Sequence, residues 1–519
     1  MSVEHKKQLI DNTLWVYAGK IITQILGLFA TVLVIRKLPV EVYGTYTFIF
    51  GLFVVYQLFI TSPLKNVLLR YVPELTQGGH FNVVRKLLLY ALSLASAMVL
   101  LFSFFLWVFQ DSFSAFFNID SFDTHIKAFF VFVLCYALKV LSETIISSFL
   151  KHPLSAKANV LVVLFRASAY LIMLDKITVN MLLYIEAIAS LVFVAFVLTG
   201  IYQQLSKANN PDNHTNVLTI KGRVSRFYLL SFFSELGYGI IGKTSDHYII
   251  AAMSSPFYVG LYAFALKVFE IFYKILPFRE FESVLKPIFF KRFSYSGSHK
   301  EINDFYMFAV KVLLPLFMFP VLYFLLFGKG VIIHVFEEKY LPAYWVTCVS
   351  LVGILINGYF YPLNLVIQLK ERVEINLYSR VIVVFSIVAG IYFMKLYGIV
   401  GVAMATVLGE FFKNVFMLIM LRRYVPIKYP LAIISRYGAL FLLMGALCLP
   451  FYTYLQTLGG WLLGSVAFGI LYALVLINIH PLNKEEAGRL EGLVTSSSKL
   501  RKVYEKIEPF FNKCKVLSK

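Results

Sequence analysis

The chain is short of acid. Of its 519 residues 28 are Asp or Glu against 48 Lys or Arg, and charged residues of both signs together make up only 15%. A water-soluble domain carries about a quarter charged residues, so this surface is not built for water. Cysteine is scarce too. Cys135, Cys348 and Cys448 stand in apolar runs and Cys514 in a polar tail, which excludes a disulfide scaffold and gives no paired zinc spacing. The nine histidines form no metal-binding pattern on one helix. No P-loop, acidic cluster or Ser/His/Asp arrangement can be read, and no cofactor is implied.

What is present is hydrocarbon. Hydrophobic residues make up 59% of the chain and aromatics 17%, and the mean hydropathy is +0.76. Apolar runs of about 20 to 25 residues recur throughout, each long enough at about 1.5 Å per residue to cross a hydrocarbon layer. About fourteen are read, at 12–36, 41–63, 86–109, 126–150, 155–175, 178–202, 225–251, 257–279, 303–327, 341–368, 375–394, 398–421, 434–454 and 457–479. The N-terminus runs into the first span without a small-residue cleavage site, so no cleavable signal peptide is expected.

Basic residues orient these spans. With the N-terminus inside, about 33 of the Lys and Arg fall in cytoplasmic connections and tails and about 7 outside, the asymmetry that cytoplasmic loops carry. An even count puts both termini in the cytoplasm of a multi-pass cell-membrane protein. The net charge of +20 then belongs to loops on an anionic leaflet, and nucleic acid is not an expected partner. The outer loops are shorter than about 20 residues, too short to house an extracytoplasmic active site. The sequon at Asn213, His214 and Thr215 falls in an inside connection and reads as chance.

The chain repeats itself. Val42-Tyr43-Gly44-Thr45-Tyr46 opens the second span and Tyr258-Val259-Gly260-Leu261-Tyr262 the eighth, while Leu64-Lys65 and Arg70 correspond to Leu285-Lys286 and Lys291. An offset of about 216 to 221 residues contains six crossings, an even number, so the halves share one orientation about an axis along the membrane normal. The expected organisation is an N-terminal six-helix bundle (1–203), a cytoplasmic linker (204–222), a second six-helix bundle (223–421), two additional spans (422–480) and a basic tail (481–519). In the tail Leu500, Val503, Tyr504 and Ile507 share one helical face among lysines, which suits either an interfacial helix or a solvated tail.

Cations inside the spans carry the functional signal. A charge near mid-membrane is costly unless it faces a polar cavity or a partner. Lys20 and Arg166 have no acid on their own helix, so they are the leading candidates to bind an anionic substrate, although Glu235 or Glu186 could reach them from another helix. Lys139, Lys243, Lys267 and Lys274 are weaker candidates. Lys139 with Glu143, Lys243 with Asp246, Lys267 with Glu270, and Lys413 with Glu410 are spaced three or four apart and can neutralise each other. Lys311 lies near a span end and can snorkel. Asp246, Glu235 and Glu186 are candidates for coupling to an ion gradient, with a structural salt bridge as the competing role. Pro277, Pro315, Pro320 and Pro362 mark places where spans can bend.

The Gly44 and Gly260 segments, the run Asp246-His247-Tyr248-Ile249-Ile250, Gly401-Val402-Ala403-Met404-Ala405-Thr406, and Phe327-Gly328-Lys329-Gly330 followed by Lys339-Tyr340-Leu341-Pro342-Ala343 resemble, in their order and spacing, the polysaccharide exporters of the MOP superfamily. These are the Wzx-like flippases of lipid-linked oligosaccharides, related to lipid II flippases and more distantly to MATE multidrug exporters. The resemblance implies an all-α polytopic membrane fold, MATE-like, with two pseudo-symmetric six-helix bundles around a cavity that opens alternately to each side, plus two C-terminal helices. It implies a flippase moving a polyprenyl-pyrophosphate-linked glycan to the outer leaflet for surface polysaccharides such as O-antigen, driven by a Na⁺ or H⁺ gradient or the membrane potential. Membrane lipids, a polysaccharide polymerase and glycosyltransferases would be its partners. In the lipid II flippases the two extra helices receive a lipid tail, a role open to the last pair here. A cation-coupled multidrug exporter is the alternative, and an integral-membrane polymerase or glycosyltransferase a second one.

Overall fold

The computed structural model describes residues 19, 22–119, 122–149, 151–206, 217–239, 244–275, 298–370, 372–427 and 431–479. Lys20, Lys243, the sequon at Asn213, Pro277, most of the expected linker and the whole basic tail with Cys514 lie outside the described residues. Regular structure among the described residues is entirely helical. Two compact units form, Met1–Ala263 and Phe264–Lys519.

The first unit contains α1 (22–37), α2 (Val40–Tyr56), α3 (Ser62–Gln77), α4 (Phe81–Val108), α5 (Gln110–Phe117), α6 (Phe122–Ser148), α7 (His152–Ile172), α8 (Val179–Ser206), α9 (Val217–Gly239) and α10 (Thr244–Met253). Helix α11 (Pro256–Ile275) crosses the border. The second unit continues with α12 (His299–Val331), α13 (Tyr344–Leu369), α14 (Val373–Arg422), α15 (Leu431–Cys448), the single turn α16 (Tyr452–Leu455) and α17 (Leu458–Ile479). Eleven helices among the described residues are long and apolar enough to cross a membrane. The fold is thus that of an all-α polytopic membrane protein.

Local chemistry accounts for several departures from the sequence reading. The second span does not end near residue 63 but continues through a π-helical turn, Gln57–Thr61, into α3. Leu64, Val67, Leu68, Tyr71, Val72 and Leu75 make one buried face of α3, while Lys65 and Arg70 are exposed. An amphipathic stripe therefore keeps helical what the charges suggested was a loop. Helix α14 holds two expected spans in 50 residues. Gly398 breaks it with φ 59° and ψ −146°, a conformation open chiefly to glycine. A Cβ on Gly409 would lie 2.5 Å from that of Ser386, though the two residues are about 34 Å apart along a straight helix. The helix doubles back at Gly398, and its two arms are antiparallel.

Large apolar side chains face outward, as lipid permits. Leu100 and Phe104 on α4 are 61% and 56% exposed, and Leu463 and Val466 on α17 are 70% and 65% exposed. Lipid is the solvent for these faces, so packing inside depends on close contact and on satisfied polar groups. Pro315 lies inside α12 and leaves the Lys311 carbonyl without its helical donor. The buried Tyr437 hydroxyl of α15 donates to that carbonyl at 2.9 Å, and the Tyr472 hydroxyl of α17 donates to the Pro315 carbonyl at 2.7 Å. Tyr437 thus supplies the donor that Pro315 removes from α12, and Tyr472 adds a second bond that ties α17 to the same turn.

A second close approach joins the repeated glycine segments. A Cβ on Gly44 would stand 1.8 Å from the Pro256 carbonyl oxygen, and one on Gly260 would stand 2.2 Å from the Val40 oxygen. Pro256 and Val40 each precede the other glycine by four residues, so α2 and the start of α11 cross reciprocally, backbone on backbone. Glycine is required on both sides of this crossing.

Candidate functional site

A polar cluster among the described residues of the first unit is assembled by α6, α7 and α8. Helices α7 and α8 form a hairpin whose turn contains the short 3-10 segment Leu174–Lys176. Arg166 and Glu186 are equally far from Lys176, ten residues each, and antiparallel pairing sets them opposite one another. Arg166 Nη2 lies 2.6 Å from Glu186 Oε2. The Tyr170 hydroxyl donates to Glu186 Oε1 at 2.9 Å, so both carboxylate oxygens are engaged. Glu186 is 4% exposed. The Arg166 Nε is buried with no hydrogen-bond partner, which leaves one guanidinium donor free to take an acceptor.

Lys139 projects from α6 into the same region and is 8% exposed. Its ammonium lies 4.9 Å from the Tyr136 ring centroid and 5.7 Å from that of Phe193, within cation–π range. Among the described residues no carboxylate is within ion-pair distance of it. Glu143, one turn along α6, instead accepts from Asn159 Nδ2 of α7 at 3.1 Å. Arg166, Glu143 and Glu186 all lie within electrostatic reach of Lys139, and Tyr46 and Tyr136 within reach of the Arg166–Glu186 pair. The cluster holds two cations and two carboxylates and is balanced in formal charge. A low local dielectric strengthens each of these contacts and any that a substrate adds.

The remaining candidates fall elsewhere. Glu235 accepts from Asn66 Nδ2 at 3.0 Å, joining α9 to α3. Asp246 is 4% exposed and accepts from the Tyr262 hydroxyl at 2.5 Å, near the glycine crossing. In the second unit Lys267 and Lys274 both contact Glu270, at 3.3 and 3.5 Å, and Lys413 pairs with Glu410. Tyr46, Tyr136 and Tyr170 are cluster members that sequence reading passed over. The hairpin register would have found Tyr170 and would have named Glu186 as the partner of Arg166. No group of three or more His, Cys, Asp or Glu side chains is placed to hold a metal among the described residues.

Three solved structures share this fold. A lipid II flippase, MurJ, in an inward closed conformation aligns with a TM-score of 0.67 and 14% identity, over 90% of this chain and 98% of that one. An inward-facing multidrug resistance MATE transporter of the MOP superfamily aligns with a TM-score of 0.56 and 14% identity, over 77% and 94%. The Vibrio cholerae MATE transporter VcmN, as a mutant, aligns with a TM-score of 0.50 and 12% identity, over 80% and 97%. No protein-family model and no curated protein matches the chain.

Proposed function

We propose that this chain is an alternating-access membrane transporter, and not an enzyme, that moves an amphipathic substrate through a path lined by the α6–α8 cluster. The observation that carries the reading is a charge-balanced group, buried Lys139 and Glu186 with half-buried Arg166 and Glu143, inside helices whose outer faces suit lipid. Charge held at such depth suits a pathway better than a scaffold. In this reading there are fourteen crossings, the two arms of α14 counting separately and α1 and the α9–α10 segment adding two more. Both termini are cytoplasmic, and the six-helix repeats end near residues 203 and 421.

Two substrate classes fit, each favoured by specific observations. A polyprenyl-pyrophosphate-linked glycan is favoured by Lys139, a buried cation held by rings rather than by a carboxylate, and by the free Arg166 Nε. Both groups have hydrogen-bond donors left for phosphate oxygens. The likeness to the lipid II flippase, which extends over 90% of the chain, points the same way. A cation-coupled drug exporter is favoured by the pairing of Arg166 with Glu186, which removes the net positive charge that an anion-selective cavity would hold, and by the likeness to MATE transporters. In that reading Glu186, Asp246 and Glu235 are the ion-coupling carboxylates. Purified protein in liposomes separates the two. A flippase exposes a fluorescent polyprenyl-pyrophosphate sugar on the opposite leaflet, whereas an exporter accumulates a cationic dye only under a Na⁺ or H⁺ gradient. Failure of both assays in an oriented, folded preparation would overturn the transport reading.

A further inference from the structure

The second unit contains a cleft of about 310 Å³ that none of these roles uses. It is walled by Leu322, Leu325 and Leu326 of α12, Phe441 of α15 and Leu449, at the lower end of the volume range of small-molecule sites. One cation stands in it. Lys329, two residues before the end of α12, places its ammonium 5.6 Å from the Tyr344 ring centroid and 5.7 Å from that of Tyr452. Among the described residues the ammonium makes no hydrogen bond and has no carboxylate within ion-pair distance. Glu337 lies 2.8 Å from Lys339 instead. Trp345, beside the cleft, is 60% exposed.

We infer that this cleft is a binding site for an acidic phospholipid, with the phosphate on Lys329 and the start of an acyl chain along the leucine wall. Ring faces hold the ammonium by its charge but leave its N–H donors unspent, and a phosphate oxygen is the acceptor they lack. Lys329 lies seven residues before the end of the apolar stretch His299–Phe336, within reach of the headgroup layer for a snorkelling side chain, and Tyr344, Trp345 and Tyr452 are of the residue types that favour that layer. A cationic drug or a zwitterionic headgroup matches this site less well, because a lone cation repels the first and the choline of the second. The site is built by α12, α13, α15 and the start of α16, so it needs no assumption about the transported substrate.

Native mass spectrometry of the full-length protein, with phosphatidylglycerol or phosphatidylcholine added, tests the inference. Phosphatidylglycerol should be retained at least about tenfold more tightly than phosphatidylcholine, and Lys329→Gln should abolish that preference. Lys395→Gln, an exposed lysine at the α14 turn, should leave it intact. Leu449→Trp should fill the cleft and weaken retention while Lys329 stays in place, and an unchanged melting midpoint establishes that each variant is folded. Inorganic phosphate at millimolar concentration distinguishes the two sources of the anion. If it displaces the lipid fully, the wall contributes nothing and the phospholipid assignment fails. Equal retention of both lipids, or of phosphatidylglycerol by wild type and Lys329→Gln, also overturns it. Because the readout is lipid retention, failure here leaves the transport assays untouched, and failure of transport leaves this site standing.

Discussion

The two units pair their charged side chains by different means. In the first, the pairs run across helices: Arg166 of α7 meets Glu186 of α8, and Asn159 of α7 meets Glu143 of α6. In the second, Lys267, Glu270 and Lys274 share α11 and Lys413 pairs with Glu410 on α14, three or four residues apart. Glu186 is nearly inaccessible, while the Glu270 side chain is 51% exposed. A pair within one helix forms wherever the helix forms, and in partly solvated surroundings it adds little. A pair between helices exists only when the helices pack, and breaking it strands a charge. Rearrangement of the first unit therefore has an electrostatic consequence that rearrangement of the second lacks.

The strongest way to break this comparison is Glu186→Ala. Arg166 would be left partly buried and unpaired, a loss expected at about 2 to 4 kcal/mol, less than for a fully buried charge, and read as a fall in the unfolding midpoint in detergent. The double variant Arg166→Met, Glu186→Leu should recover most of that loss, since an apolar pair of similar volume tolerates burial. Transport by the double variant then decides the role of the pair. A stable but inactive protein assigns it to the pathway, and wild-type transport makes it structural.

The glycine crossing gives the next largest effect. Gly44→Ala puts a methyl group where the Pro256 carbonyl oxygen stands, and overpacking of this kind costs about 1 to 3 kcal/mol. Gly438→Ala, in α15 with open space around its Cβ position, should cost no stability and serves as the comparison in the second unit. Equal midpoints for the two variants would remove the case for a backbone-on-backbone crossing.

The sequence shows why one unit was easier to read than the other. Spacings of three and four residues on one helix are visible in the string, so the Lys267–Glu270 and Lys413–Glu410 contacts were legible. The Arg166–Glu186 contact was visible only as a possibility, because its geometry depends on where a hairpin turns. Lys139 differed from the reading by packing on Tyr136 and Phe193 rather than on Glu143, which Asn159 engages. Helix existence was legible from apolar runs. Helix ends were not, since the amphipathic face of α3 and the reversal at Gly398 depend on packing partners remote in sequence.

Tyr437→Phe addresses the second unit alone. It removes the donor to the Lys311 carbonyl that Pro315 leaves open, and a buried acceptor without a partner costs about 1 to 3 kcal/mol. The same change made together with Pro315→Ala should cost markedly less, because alanine restores the helical N–H. A double-mutant cycle on unfolding midpoints measures the difference, and strict additivity would mean that the tyrosine does not compensate the proline.

The smallest effect is expected at Lys413. Its side chain is 22% exposed and Glu410 27%, and a partly solvated pair three residues apart contributes less than about 1 kcal/mol. Lys413→Gln should therefore shift the unfolding midpoint by only a degree or so, and salt should shrink even that difference. The control matters because buried Asn414 is adjacent and bonds both the Glu410 carbonyl and Asn357 of α13. If Lys413→Gln were as costly as Glu186→Ala, the pair would be holding α13 to α14 through Asn414, and the contrast between pairs across helices and pairs within one would fail where the second unit packs most closely.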